Sequence, residues 1–165
     1  MSILSVYILR FIFHSRIEKN KDINDFKKKY GKNSKEYIVQ EKIVGTEYTV
    51  QMMCDEKKQL HAIIPVKILL KRGVTLRGVT DNQKNIIKAC KAIHNALPTK
   101  GTYNIQLILT SNKKVLPFEI NPRISTTFCL ALHAISMDPV DLYLSEKKQN
   151  SQLSIVKSGI QIRRH

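Results

Sequence analysis

The sequence predicts an α+β fold in which a largely antiparallel sheet is packed with helices. Three observations carry this expectation. The elements run strand, helix, four or five strands with one helix between them, then helices. Two apolar strands, Tyr103 to Leu109 and Val115 to Ile120, flank the short polar link Ser111-Asn112-Lys113-Lys114. The strongest helical spacing, Asp81 to Leu97, stands alone among the central strands.

In chain order, Ile3 to Phe13 is rich in β-branched and aromatic residues and reads as a strand. Lys21 to Tyr30 reads as a helix capped by Asp22, with Ile23, Phe26 and Tyr30 on one face and Gly31 at its end. Tyr37 to Ile43 is a strand, and Gly45 breaks the chain. Tyr48 to Met53 alternates apolar and polar, and Asp55 to Lys58 turns. Leu60 to Leu70 is a longer strand, broken or bent by Pro65. Two glycines and two arginines make Arg72 to Thr80 a loop. Asp81 caps the next helix, in which Ile86, Ile87, Cys90, Ile93, His94 and Leu97 recur at helical spacing. After the strand pair, Ser125 caps an apolar helix to Ile135, and Pro139 to Ser145 starts another behind Asp138. Leu153 to Ile162 is a final strand.

At 165 residues the chain is read as a single domain, 1–165, long enough to bury a core. Its 28 Lys and Arg against 13 Asp and Glu favour polyanionic partners: nucleic acid, acidic lipid or nucleotide phosphates. The basic residues are scattered and few aromatics interleave with them, which fits a solvated surface and argues against a nucleic-acid face. Ile3 to Phe13 is interrupted by Arg10 and too short to span a membrane. Cys54, Cys90 and Cys129 are odd in number, far apart and without a CxxC, so a reducing cytoplasm is expected rather than a disulfide framework. The five histidines make no metal spacing.

Chemistry concentrates in VLPFEINPRIST, Val115 to Thr126, where an acid, an amide and a guanidinium follow an apolar strand. If Asn112-Lys113 is a two-residue hairpin loop, Gln106 faces Glu119 and Asn104 faces Asn121. Side chains two apart share a face, so these four make one polar patch. Directly opposed Cβ atoms lie about 5 Å apart, a spacing at which oxygen ligands grip a hard cation. Arg123, just past the strand, has the donor fork to hold phosphate. A polar outer face on an edge hairpin is the alternative reading of the same residues.

A second stretch, YIVQEKIVGTEYTV from Tyr37 to Val50, sharpens the reading. Together with NIQLIL and FEINPRIST, in that order, it resembles the ATP-grasp family of ATP-dependent ligases, in particular the carbamoyl-phosphate-synthetase-like ATP-binding type. The resemblance covers about residues 15–145 and implies the C-terminal part of an ATP-grasp fold. It implies that Glu41 and the backbone of Lys42 and Ile43 meet the adenine edge, that Glu47 accepts from the ribose hydroxyls, and that Phe118 packs on the adenine ring. It further implies that Gln106, Glu119 and Asn121 ligate Mg²⁺ or Mn²⁺, and that Arg123 is the catalytic contact to the phosphates or an acyl-phosphate. Lys71, Arg72 or Arg77 of KRGVTLRG then lie near phosphate or substrate. The implied reaction joins a small carboxylate to an amine at the expense of ATP, through an acyl-phosphate.

The family's glycine-rich phosphate loop has no counterpart in HSRIEKNKDINDF, so the expectation is a domain truncated at the N-terminus: either a truncated gene product, or one half of a split enzyme whose other half is a separate chain. Two alternatives stand beside the ligase: a non-catalytic nucleotide- or partner-binding remnant, and a basic nucleic-acid-binding domain.

Overall fold

The computed structural model describes residues 6–10, 13–17, 20–31, 38–41, 43–135, 153–154 and 156–164. They fall into two compact units, Met1–Val44 and Gly45–His165. In the first unit β1 (Val6–Arg10) pairs antiparallel with β2 (Phe13–Ile17) and with β3 (Ile38–Glu41), in the order β2-β1-β3. The helix α1 (Asn20–Tyr30) half-buries Ile23 and Phe26, the face expected of it. Gly31, with φ 51°, follows its last residue.

Two expectations for this unit are corrected. Of the strand expected over Ile3 to Phe13, Val6–Arg10 forms one strand and Phe13 opens a second, antiparallel to it, with Arg10 paired to Phe13. Nothing in Phe11-Ile12 carries turn chemistry, so the reversal is silent in the sequence. Asp22 lies inside α1 and does not cap it.

In the second unit six strands make an antiparallel sheet in the order β8-β7-β4-β5-β6-β9. They are β4 (Thr46–Cys54), β5 (Leu60–Arg72), β6 (Val74–Thr80), β7 (Thr102–Leu109), β8 (Val115–Asn121) and β9 (Gln161–Arg163), with α2 (Lys84–Ala96) and α3 (Phe128–Ala134). The largely antiparallel α+β class is thus confirmed.

The central strand β4 shows why the sheet has two unlike faces. Tyr48, Val50 and Met52 point one way and join Ile63, Tyr103, Ile105 and Leu107 against Ile86 and Cys90 of α2. Met53 points the other way and packs with Ala62 and Ile64 against Ala131 and Ala134 of α3. Each fully buried aliphatic side chain contributes about 1.5–3 kcal/mol, so the α2 face carries most of the hydrophobic stabilisation.

Four readings of this unit change. The expected loop over Arg72 to Thr80 is β6, paired on both sides. Its alternating VTLRGVT is a strand pattern, and its internal glycine answers crowding rather than a turn. A Cβ on Gly78 would sit 3.1 Å from Val66 Cγ1 and 3.3 Å from the Lys67 carbonyl. Pro65 leaves β5 unbroken and keeps its register with Val50. Its carbonyl accepts from the Asp81 N–H, and a strand residue's N and O point the same way. The missing donor therefore falls just beyond the last β5–β6 pair, Val66 with Thr80, and no ladder bond is lost.

Asp81 is not a helix cap. Gln83 precedes α2, and Asp81 accepts a 2.7 Å bond from the Tyr48 hydroxyl. Burial, reinforced by that carboxylate, pushes the Tyr48 phenol well above its usual range. Of the final strand expected over Leu153 to Ile162, only Gln161–Arg163 is paired as one. The segment before it is tied by single bonds, such as Ser154 N–H to the His61 carbonyl and Gly159 N–H to the Thr80 carbonyl. The expected helix from Pro139 to Ser145 lies outside the described residues.

His94 ties together several polar groups in the α2 core. Its Nε2 lies 2.9 Å from the Lys58 carbonyl, which only accepts, so a neutral ring carries its proton there. Nδ1 is then the acceptor for the Tyr103 hydroxyl at 3.0 Å, with Cys54 Sγ at 3.7 Å. Burial pushes the Cys54 and Cys90 thiols up to about 12, with Asp55 adding to the rise at Cys54. Cys129 is exposed. A thiol reagent at pH 7.5 is therefore expected to modify Cys129 quickly in the native protein and Cys54 and Cys90 only after denaturant is added. Fast native modification of Cys54 would show that the core around His94 is open.

Candidate functional site

The face of the sheet that carries α3 at one end is polar at the other. Along β4 the row Glu47, Thr49, Gln51, Met53 runs from charge to hydrocarbon. On β7, Gln106 pairs with Thr49 and Asn104 with Gln51. On β8, Glu119 pairs with Gln106 and Asn121 with Asn104. Residues two apart share a face, so these amides and acids converge. Gly45 brings β4 in close: a Cβ there would lie 2.5 Å from both Ile108 Cγ2 and the Leu109 carbonyl.

The facing of Gln106 and Glu119 is as expected, but the hairpin reaches it by another route. The loop is wider than two residues: Lys113 N–H bonds the Thr110 carbonyl, Thr110 N–H bonds the Lys114 carbonyl, and Lys113 has φ 64°. Leu109 therefore pairs with Val115, and Leu107 with Pro117. Continued unchanged, that register would set Glu119 opposite Ile105, whose side chain is in the α2 core. A β-bulge between Gln106 and Leu107 leaves Phe118 unpaired and shifts the register by one. Glu119 thereby turns to the polar face.

There Gln106 Nε2 donates to Glu119 Oε2 at 2.7 Å. Lys71 Nζ, at the end of β5, donates to Gln106 Oε1 at 3.4 Å and forms an ion pair with Glu47 Oε1. Asn121 Nδ2 donates to Asn104 Oδ1 at 3.3 Å, so its own Oδ1 is turned away as an acceptor. Asn104 is 1% exposed and donates Nδ2 to the Arg123 carbonyl at 2.7 Å, tethering the segment that presents Arg123. Ser125 Oγ bonds Gln51 Oε1 at 2.9 Å and receives the Thr127 N–H. It shapes the approach to α3, whose cap residue is Thr127 and not Ser125.

An open cavity of about 270 Å³ lies over this patch, lined among others by Lys71, Asn104, Gln106, Glu119, Asn121 and Arg123. Among the described residues no three His, Cys, Asp or Glu side chains are placed to hold a metal. The donors here are one carboxylate and amide oxygens. Such a set suits a hard cation that completes its shell with water and phosphate, and does not suit a soft one.

The structure thus brings together Gln106, Glu119, Asn121 and Arg123, with Glu47 joined to them through Lys71. Phe118 is the bulge residue and is 53% exposed. Glu41 ends β3 and Ile43 follows in the first unit, while Lys42 lies outside the described residues. Sequence reasoning underrated Lys71, because two register irregularities between Ile68 and Lys71 hide which face it takes. It also missed Asn104 as a brace, although its pairing with Asn121 was visible.

The family model described as ATP-grasp in the biosynthetic pathway with Ter operon matches residues 33–164. No curated protein matches the sequence. Among solved structures, N5-carboxyaminoimidazole synthetase from Staphylococcus aureus complexed with ADP is similar with a TM-score of 0.70 and 13% identity, over 93% of this chain and 43% of that one. A biotin carboxylase–β,γ-ATP complex from Campylobacter jejuni gives 0.68 and 12%, over 92% and 40%. An L-amino acid ligase from Bacillus licheniformis gives 0.62 and 15%, over 85% and 38%. These identities speak for the fold, and the chain spans about two fifths of each of these proteins.

Asn104→Ala removes a buried donor and acceptor at once. It is expected to cost about 1–3 kcal/mol in urea unfolding. Equal stability of variant and wild type would mean that Asn104 does not brace Arg123.

Proposed function

The chain belongs to the ATP-grasp family, and from that premise we propose that it is the ATP- and Mg²⁺-binding part of a carboxylate–amine ligase. The observation that carries this reading is the patch in which Gln106, Glu119 and Asn121 share one face beside Lys71 and Arg123. One carboxylate and two amides make a weak cage alone and a good one once phosphate oxygens join it.

The roles are those the family resemblance implies, and the shared face of Gln106, Glu119 and Asn121 beside Arg123 supports the phosphate side of them. Glu119 and Asn121 offer oxygens to Mg²⁺ or Mn²⁺, and Gln106 adds a third when its amide turns. When bound, the cation supplies positive charge at the β- and γ-phosphates. Arg123 orients the transferred phosphoryl group through its planar fork, held in place by Asn104. Glu47 accepts from ribose hydroxyls. Glu41, with the backbone of Lys42 and Ile43, meets the adenine edge, and Phe118 offers an exposed ring to the base. The substrate carboxylate oxygen attacks the γ-phosphorus, the bond to the bridging oxygen breaks, and ADP leaves. The amine then attacks the acyl carbon, and phosphate departs with its oxygen.

No helix among the described residues is long and apolar enough to cross a membrane. A cytoplasmic setting suits a chain whose cysteines are all free. The rest of the nucleotide enclosure and the acid and amine sites come from further sequence or a separate chain, a reading supported by the two-fifths coverage of the solved ligases. Without it, the isolated chain binds nucleotide but turns over slowly or not at all.

Calorimetric titration tests the reading. ATP is expected to bind in the presence of Mg²⁺, and Glu119→Gln to weaken that binding by about tenfold or more, equivalent to about 1.4 kcal/mol. Absence of Mg²⁺-dependent binding by wild type overturns it. Steeply salt-sensitive RNA binding, unchanged in Glu119→Gln, would favour a nucleic-acid-binding domain instead.

A further inference from the structure

The ligase reading, on which this inference rests, puts Lys71 near phosphate or substrate but does not explain why its ammonium is held by two other site residues. Its ammonium bridges Glu47 Oε1 and Gln106 Oε1, and the Gln106 amide nitrogen in turn donates to Glu119. The series Glu47, Lys71, Gln106, Glu119 is therefore polarised in one direction: cation on the amide oxygen, amide N–H on the carboxylate. In this state Gln106 turns its N–H₂ toward Glu119, where a metal ligand would need an oxygen. Rotating the amide to serve a metal would point N–H₂ at Lys71, two donors facing one another. A divalent cation at Gln106 and Glu119 would also stand close to the ammonium, and like charges at that range repel.

We infer that Lys71 is a place-holding cation: it occupies the oxygens of Gln106 and Glu47 until a metal–nucleotide arrives, and then exchanges them for a phosphate oxygen. The exchange costs little because the charge it gives up at Glu47 is replaced by phosphate in the same cavity, which Lys71 lines. It also releases Glu47 to accept from hydroxyls. The side chain has freedom for this, being 39% exposed and placed after the two irregularities in β5. Metal alone, without phosphate, gives Lys71 no new partner and so has to displace it unaided. Lys71 is thus a positioning residue that couples metal binding to nucleotide binding.

The coupling predicts effects of opposite sign in one variant. Lys71→Met is expected to bind Mn²⁺ alone about threefold to tenfold more tightly, since the competent state of Gln106 no longer has to be won from the ammonium. The same variant is expected to bind Mg²⁺–ADP about threefold to tenfold more weakly, having lost the phosphate contact. Mn²⁺ affinity is read by electron paramagnetic resonance and nucleotide affinity by calorimetry, on the full chain. Lys67→Met is the charge control. Lys67 lies on the same strand but pairs with Tyr48 and faces α2, so its removal should leave both affinities near wild type. Equal tightening of Mn²⁺ in both variants would show a net-charge effect and overturn the inference. Unchanged or weaker Mn²⁺ binding in Lys71→Met overturns it while leaving the ligase reading intact. If wild type binds neither Mn²⁺ nor Mg²⁺–ADP, both readings fall together.

Discussion

A strand alternates its side chains between two faces, so a register error of one residue sends every group to the wrong side. In this sheet that constraint decides whether Glu119 meets water or hydrocarbon. The turn at Thr110 to Lys114 sets a register that would aim Glu119 at Ile105 and the core under α2. An unpaired carboxylate there would be strongly destabilising or would be protonated. The unpaired Phe118 shifts the register back, so Leu116 and Glu119 lie on one face although they are an odd number of residues apart. The positions of Asn121 and Arg123, which follow the bulge, depend on the same compensation.

The sheet's two faces divide the remaining work. The α2 face is filled by Tyr48, Val50, Met52, Ile105 and Leu107, and is closed by the bonds of His94 to Tyr103 and to the Lys58 carbonyl. The opposite face changes character along each strand, from Met53 and Ile64 under α3 to Glu47, Gln106 and Glu119 in the cavity. Gln51 and Asn104 stand at the boundary with almost no exposure, and each is satisfied by a specific partner: the Tyr103 carbonyl, Ser125, the Arg123 carbonyl. A rigid hydrocarbon end and a satisfied boundary hold the polar end in a definite geometry. Preorganisation of this kind is what phosphoryl transfer needs from a protein.

The sequence misled where one residue type served two physical purposes. Gly78 looked like a loop residue and is in a paired strand, where a Cβ would press on the neighbours Val66 and Lys67. Asp81 looked like a helix cap and is the acceptor for Tyr48, a partner remote in sequence. Pro65 looked like a strand breaker and sits where the ladder asks nothing of its nitrogen. In each case a long-range contact outweighed a correct local preference, and local preference is all that a window of sequence contains.

Alternation, hydrophobic runs and turn residues by themselves determined the antiparallel hairpin class and the long helix over most of Asp81 to Leu97. These are near-neighbour properties, set by backbone sterics and by the apolar content of each run. The same signals paired Gln106 with Glu119 only through an assumed two-residue loop, and the bulge at Phe118 is what restores that pairing. Tertiary structure decided that Phe118 bulges, that Lys71 reaches Glu47 and Gln106, and that Asn104 braces Arg123. Those outcomes depend on register across strands far apart in the chain, and register is chosen by the packing of a whole sheet on its helices rather than by any one segment.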